Sequence, residues 1–391
     1  MTFVLSNADI FTGHEILTNQ SVVINAGRVV NIIDNTAVET FASKHTVKVI
    51  DLKGNLLVPG FIDSQVNGGA GVLFNHSPTV ESIAHIGRAH RIYGTTGFLP
   101  TLISDDAEAM QLAISAARQA FNQKTPGFLG IHLEGPYLNP ARKGVHSEAK
   151  LRVANSESLT LLKQLRGLGS SIVTLAPEMV PDGFIESLIA EGIIVCVGHS
   201  NATYNCIQQS LLQGVSGFTH LFNAMSPLTS REPGVVGAAI IDPDSWCGII
   251  VDGHHVHSCA LNIAIAAKTK GKMMLVTDAV HTVGAQGNAF DLAGCPVFRD
   301  KGKVTTAEGT LAGSDLDMAS AVRNTVRMLG IELAEALRMA SLYPAQFLGL
   351  EHTLGRIKSG YQADLTLLDC DLNVINTWIK GVCNDPANQI L

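Results

Sequence analysis

The sequence predicts an α/β fold: a (β/α)8 TIM barrel with a small β-sandwich domain formed by both chain ends. Three features point there. Short β-branched runs punctuated by glycine fill the first 58 residues and recur only near the far end of the 391-residue chain. Between them, apolar runs of strand length alternate with segments of helical periodicity, the pattern of a parallel sheet covered by helices. Eight such βα units in roughly 250 residues is the size of a barrel of this kind. A doubly wound open sheet is the alternative, but the first strand-to-helix turn carries neither G-x-G-x-x-G nor an acidic partner at the expected distance.

In chain order, residues 3–5, 21–24 and 47–50 read as strands separated by Gly13, Gly27 and Gly54. So few strands make no stable sheet alone. Residues 1–58 are therefore expected to pair with residues 355–391, where the runs 363–368 and 374–379 follow the turn between Gly355 and Gly360. The barrel is expected over residues 59–354, with strands at 57–63, 97–101, 128–133, 172–176, 193–197, 217–220, 247–251 and 273–277. Amphipathic helices are expected between them, for example over 80–93, 105–121, 156–165 and 201–212. The Gly-rich insertion from Gly284 to Gly313 is long enough to serve as a mobile lid.

Composition removes several function classes. With 34 acidic and 27 basic residues the net charge is −7, the reverse of a nucleic-acid-binding footprint. Hydrophobic residues make up 46% and charged residues 16%, which excludes global disorder. No run approaches the roughly 20 apolar residues of a membrane helix. The start Met1-Thr2-Phe3-Val4 lacks the basic and apolar regions of an export signal, so a cytoplasmic location is expected. Seven cysteines, an odd number without C-x-x-C spacing, read as reduced packing residues.

Polar residues gather where a barrel places its reacting groups, at the C-terminal ends of strands. Strand one is followed by Gln65 and Asn67, strand three by His132-Leu133-Glu134-Gly135-Pro136 and strand five by Gly198-His199-Ser200. Strand six runs into His220-Leu221-Phe222-Asn223-Ala224, strand seven into Asp252-Gly253-His254-His255 and strand eight into Thr277-Asp278-Ala279. Glu134, His199 and His220 match a catalytic zinc, which takes three protein ligands and leaves a position for water. Any one of them alone would read as a hydrogen-bonded residue at a loop edge. Gln65 and Asn67 are poorer zinc ligands and are expected beside the site. Asp278 suits a general base that takes a proton from the attacking water and returns it to a leaving group, although Asp is also a common N-cap. Against the negative net charge an anionic substrate needs local cations, and Arg231 with His255 could clamp a phosphate. His146 could polarise a carbonyl. Nothing in the spacing of His85, His90, His254, His257 and His281 argues for more than structural roles.

Taken in order, the motifs at residues 132–136, 198–200, 219–225, 231–234, 251–255 and 277–279 resemble those of the N-acetylglucosamine-6-phosphate deacetylases of the amidohydrolase superfamily. The resemblance extends to Val58-Pro59-Gly60-Phe61-Ile62-Asp63 and Gly309-Thr310-Leu311-Ala312-Gly313-Ser314, and so to nearly the whole chain. It implies metal ligands at Glu134, His199 and His220, and a catalytic acid/base at Asp278. It implies substrate contacts at Val145, His146, Asn223, Ala224, Arg231, Asp252, Gly253, His254, His255, Leu311, Ala312 and Gly313. Many amidohydrolases carry His-x-His after the first strand, whereas this chain has Gln65-Val66-Asn67, like the family members that use one metal. One divalent ion per subunit is therefore expected, zinc first, with Fe2+, Co2+ or Mn2+ as alternatives for the same donors. The resemblance also implies a homodimer in which Arg231 reaches a neighbouring subunit's site.

The activity expected is removal of the acetyl group from N-acetyl-D-glucosamine 6-phosphate, giving acetate and glucosamine 6-phosphate, in amino-sugar catabolism. Two readings compete with it: an amidohydrolase acting on a cyclic amide or nucleobase, and a catalytically silent sugar-phosphate-binding scaffold. The first would more often carry His-x-His, and the second would be free to lose a ligand or the base.

Overall fold

The computed structural model describes residues 2–292 and 294–384. Among these, the chain up to Asp63, His90–Gly97 and the part from Met318 onward form one compact unit, and Ser64–Ala89 with Phe98–Asp317 form a second.

The chain begins with the antiparallel strands β1 (Thr2–Phe11), β2 (Ile16–Asn25) and β3 (Arg28–Asp34), then α1 (Val38–His45) and β4 (Lys48–Pro59), which returns parallel to β1. Successive side chains of a strand face opposite ways. Leu5, Ile10, Val22, Ile24 and Leu57 accordingly build one core, while their neighbours Val4 and Val23 pack on the other face with Val38 of α1. Far along the chain, α9 (Met318–Leu329), α10 (Leu333–Ala340) and α11 (Leu342–Phe347) lead into β18 (Leu365–Leu368), β19 (Val374–Ile379) and β20 (Val382–Cys383). β18 runs antiparallel to β4, pairing Leu365 with Pro59 and Leu368 with Leu56, so both ends of the chain share one seven-stranded sheet. Leu365, Leu367 and Trp378 complete the core that neither end could fill alone.

The second sheet is a parallel, nearly closed eight-stranded barrel whose strands follow chain order: β5 (Phe61–Val66), β8 (Thr95–Ile103), β9 (His132–Glu134), β10 (Ile172–Leu175), β11 (Ile194–Val197), β12 (Gly217–Phe218), β13 (Trp246–Ile249) and β14 (Met273–Leu275). A two-residue pair, β6 (Gly68–Gly69) and β7 (Val72–Leu73), follows β5. The ring closes beyond β14, where Asp278 N donates to Gln65 O at 3.0 Å and Asn67 N donates to Ala279 O at 2.8 Å. Between strands lie α2 (Val80–Arg91), α3 (Ala107–Gln123), α4 (Ser156–Leu162), α5 (Phe184–Ile189), α6 (Tyr204–Leu212), α7 (Gly234–Ile241) and α8 (Ser258–Ala267). The strands are buried on both faces, which is why they read as continuous apolar runs.

The expected strand ends move by one or two residues at several places, and two strands differ by more. The run 57–63 is divided between β4 and β5 at Gly60, where a Cβ would run into the Thr96 side chain. The third strand begins at His132 instead of residue 128, because Phe128 makes only an isolated bridge to Phe98. The insertion from Gly284 to Gly313 holds an antiparallel sheet of β15 (Ala289–Leu292), β16 (Cys295–Asp300) and β17 (Lys303–Thr306). Its Leu292, Val297 and Val304 pack with Leu73, Val280 and Ala312. Arg299 fastens it by donating to the carbonyls of Thr282, Ala285 and Gly287 at 2.7, 3.0 and 2.6 Å. All seven cysteines are free, and burial pushes the Cys196 and Cys247 thiols up to about 12.

Candidate active site

His199, His220 and Asp278 each follow the end of a barrel strand with the backbone in the left-handed region, at φ of 49°, 32° and 52°. Residues with a Cβ pay on the order of 1–3 kcal/mol to sit there, and such strain concentrates where function demands a particular aim. Gly198 makes the turn before His199 possible, since a Cβ there would lie 2.6 Å from Thr174 Cγ2. Glu134 comes directly from β9, where the period of two points it and His132 to the same side.

These turns bring three donor atoms together. Nε2 of His220 lies 2.9 Å from Oε1 of Glu134, Nε2 of His199 lies 3.3 Å from the same oxygen, and the two imidazole nitrogens are 3.1 Å apart. All three residues are buried. His199 Nδ1 donates to Arg142 O at 2.9 Å, which fixes the tautomer and leaves the Nε2 lone pair facing the triangle. Zinc bonds of 2.0–2.2 Å in a tetrahedron place ligand atoms about 3.4 Å apart, so the triangle fits such an ion. His146 reaches the same space: Glu134, His146 and His199 can each bring one ligand atom within 4.8 Å of the others. His146 has its Nδ1 taken up by Ser104, whereas His220 Nε2 meets both Glu134 and His199 directly.

Burial opposes charge on Glu134, but the His199 and His220 imidazoles against it hold its carboxyl well below the usual range. For His220 burial acts against protonation, and the Glu134 carboxylate overrides it and raises the pKa. Asp278 is moved the other way: burial first, then the negative charge of Glu134, raise its pKa. Two amides separate these acids. Gln65 Nε2 lies 3.2 Å from Glu134 Oε2 and 3.1 Å from Asp278 Oδ1, and Asn67 Nδ2 donates to the same Oδ1 at 2.7 Å. Both amides therefore stand beside the acids, with the second-metal histidines absent.

His146 is held from behind by Ser104, whose backbone N donates to Nδ1 at 3.3 Å and whose hydroxyl lies 2.7 Å from the same nitrogen. With Nδ1 accepting, the proton resides on Nε2. Burial pushes the ring down to about 3, so it is a neutral donor near pH 7.

Glu134, His146, His199, His220, His255 and Asp278 line one cavity of about 330 Å³. Asn67, Val145, Asn223, Ala224, Leu311 and Gly313 also line it. His255 is oriented by Asp252, whose Oδ2 is 2.6 Å from its Nδ1; burial opposes the charge of Asp252, but the His255 bond keeps its pKa low. Ala312 is buried behind the wall in the apolar cluster of the inserted sheet, and Gly253 and His254 are exposed. Arg231 is also exposed and does not line the cavity within this chain.

The family model for the amidohydrolases matches residues 56–383, and that of the NagA composite domain matches residues 2–57. The chain belongs to the amidohydrolase family. This amidohydrolase is an amide-cleaving hydrolase whose buried Glu/His cluster could hold a metal ion. It is 42% identical to an N-acetylgalactosamine-6-phosphate deacetylase of Shewanella sp. (strain ANA-3), over 99% of this chain and 97% of that protein. It is 37% identical to the N-acetylglucosamine-6-phosphate deacetylase of Haemophilus influenzae, over 97% and 99% of the two chains. Among solved structures, N-acetylglucosamine-6-phosphate deacetylase from Pasteurella multocida superposes with a TM-score of 0.94 at 37% identity, covering 98% of this chain and 100% of that one. A Mycobacterium smegmatis deacetylase variant in complex with N-acetyl-D-glucosamine-6-phosphate gives 0.86 at 29% identity, over 98% and 99%.

Several residues of this amidohydrolase's site escaped the sequence reading. A second strand ending at residue 101 hides Ser104; β8 continues to Ile103, so Ser104 directly follows it and meets His146 Nδ1. Ile103, Val280, Leu292 and Thr310 line the cavity with apolar or small groups that carry no chemical signature in a sequence.

Proposed function

We propose that this amidohydrolase removes the acetyl group from N-acetyl-D-glucosamine 6-phosphate, releasing acetate and glucosamine 6-phosphate. The observation that carries this reading is the Glu134, His199 and His220 donor triangle facing a carboxylate, Asp278, within a single cavity. Glu134, His199 and His220 would hold one divalent ion, zinc first. Such an ion supplies Lewis acidity toward the amide carbonyl and lowers the pKa of water.

The remaining steps belong to the protein. Asp278 takes a proton from the attacking water and passes it to the sugar nitrogen as the C–N bond breaks. Its raised pKa suits a group that must both accept and return a proton. Asn67 and Gln65 occupy Oδ1, which leaves Oδ2 for that proton. His146 donates from Nε2 to the carbonyl oxygen as negative charge develops there, and Ser104 preserves that tautomer.

The phosphate requires positive charge, and among the described residues no lysine or arginine lines the cavity. We assign that role to His255 together with Arg231 of a second copy in a homodimer. The Arg231 loop also carries Leu228, 57% exposed, and the neighbouring helices present Ile241 at 65% and Leu212 at 82%. Exposed apolar groups of this size suit an interface. Seven free cysteines agree with a reducing, cytoplasmic setting, and among the described residues no helix is long and apolar enough to cross a membrane.

A second reading replaces the substrate with its C4 epimer, N-acetyl-D-galactosamine 6-phosphate, because the 42% identical relative bears that activity in its name. Acetate release from both epimers and from unphosphorylated N-acetylglucosamine, compared on protein of known metal content, decides between them. A preference for the gluco epimer supports the proposal, and one for the galacto epimer transfers it to the second reading. Equal rates with and without phosphate remove the clamp. No release from metal-loaded protein points to a cyclic-amide substrate or a silent scaffold.

A further inference from the structure

Glu178 lies outside the cavity, just beyond β10, and is exposed. Its carboxylate nevertheless accepts three directed hydrogen bonds. Oε1 takes them from Asn139 Nδ2 at 2.9 Å and from Asn201 N at 2.7 Å, and Oε2 takes one from Ser200 Oγ at 2.8 Å. Ser200 and Asn201 immediately follow His199, whose left-handed backbone needs support from outside its own strand.

Asn139 opens the loop that grips His199 from the other side. Its backbone N donates to His199 O at 2.9 Å. Three residues on, Arg142 O accepts from His199 Nδ1, and Arg142 Nε donates to Asn201 Oδ1 at 2.9 Å. The same loop then turns at Gly144, where a Cβ would meet His199 Cε1 at 3.3 Å, and delivers His146 to the cavity. Two segments are thus laced together, one bearing a donor of the triangle and the other the carbonyl-polarising histidine. The Glu178 side chain binds both of them at once.

We propose that Glu178 is a positioning residue: its carboxylate fixes the His199 turn to the 139–146 loop, so that His199 Nε2 and His146 Nε2 are presented together. The proposal rests on the reading of His199 as a metal ligand. The partners that orient a metal-ligating histidine contribute to affinity as well as to rate. An exposed glutamate that only closed a loop would contribute to neither.

The test compares Glu178→Ala and Glu178→Gln with the unaltered protein, reading zinc affinity by chelator competition, kcat and KM of zinc-saturated enzyme, and the melting midpoint of metal-free protein. Glu178→Ala is expected to weaken zinc binding about 10- to 100-fold. It should also lower kcat with KM changed by less than about twofold, the signature of lost alignment without lost substrate binding. The metal-free midpoint should stay at that of the unaltered protein. Glu178→Gln keeps an oxygen for Asn139 and Asn201 and should recover most of the loss. Unaltered zinc affinity and kcat in Glu178→Ala would overturn the proposal. So would equal impairment of the two variants, or a zinc loss accompanied by a lowered metal-free midpoint. The affinity measurement needs no substrate, so it stands even where the deacetylation reading fails.

Discussion

Asn67 Nδ2 donates to Oδ1 of Asp278 at 2.7 Å, across the seam where the barrel closes. The bond settles which oxygen of the carboxylate is committed, and it stabilises the ionised form. Burial and the Glu134 charge push the pKa of Asp278 up, and the Asn67 bond works against them.

Removing that donor therefore has a predictable sign. In Asn67→Ala the base should hold its proton to higher pH, and the acidic limb of the kcat/KM profile should move upward. A profile with the acidic limb in its original place would show that Asn67 does not tune Asp278.

Asp278→Asn should retain its metal and lose turnover by roughly 10²–10⁴-fold, the range of a single general acid/base. Metal analysis beside acetate release makes the check, and near-normal turnover would sink the assigned role.

Stability of the metal-free protein should fall in acid. Burial pushes His132 down to about 4 and His146 down to about 3, from 6.5. At pH values between about 4 and 6.5 the unfolded chain binds protons that the folded chain does not. Stability is then fully present above pH 6.5 and declines as pH falls, by up to about 1.4 kcal/mol per pH unit for each histidine. Asp364, which burial raises to about 6, and Asp278, which burial and the Glu134 charge raise, act in the opposite sense, while His281, pushed down to about 4 by burial, joins the other two imidazoles, so two carboxyls stand against three imidazoles. Urea midpoints across this range should climb with pH, and His132→Asn should flatten the climb.

Arg231→Ala should raise KM for the phosphorylated sugar by about tenfold or more with kcat little changed, as expected for lost ground-state binding. Steady-state kinetics reads this directly, and an unchanged KM would move the phosphate clamp elsewhere.

The barrel was legible because its strands are buried on both faces and its helices on one, two patterns the chain writes plainly. The Glu134, His199, His220 and Asp278 constellation could be read for a related reason, since a barrel exposes strand ends at a single mouth. Ser104 and Glu178 could not. Ser104 acts through a hydrogen bond whose partner lies 42 residues away, and Glu178 reads as a solvated surface charge until the Asn139 and Ser200 loops are folded onto it. Arg231 was legible as a cation but not as one exposed away from its own cavity. The division of residues 57–63 at Gly60 was hidden because the apolar run continues without a break from one sheet into the other.

Removing and restoring metal tests the central claim most directly. Acetate release from N-acetyl-D-glucosamine 6-phosphate should vanish on chelation and return at about one equivalent of added zinc per chain, while His199→Ala under the same loading neither binds zinc nor releases acetate. Full activity in metal-free protein, or in His199→Ala, would contradict the account.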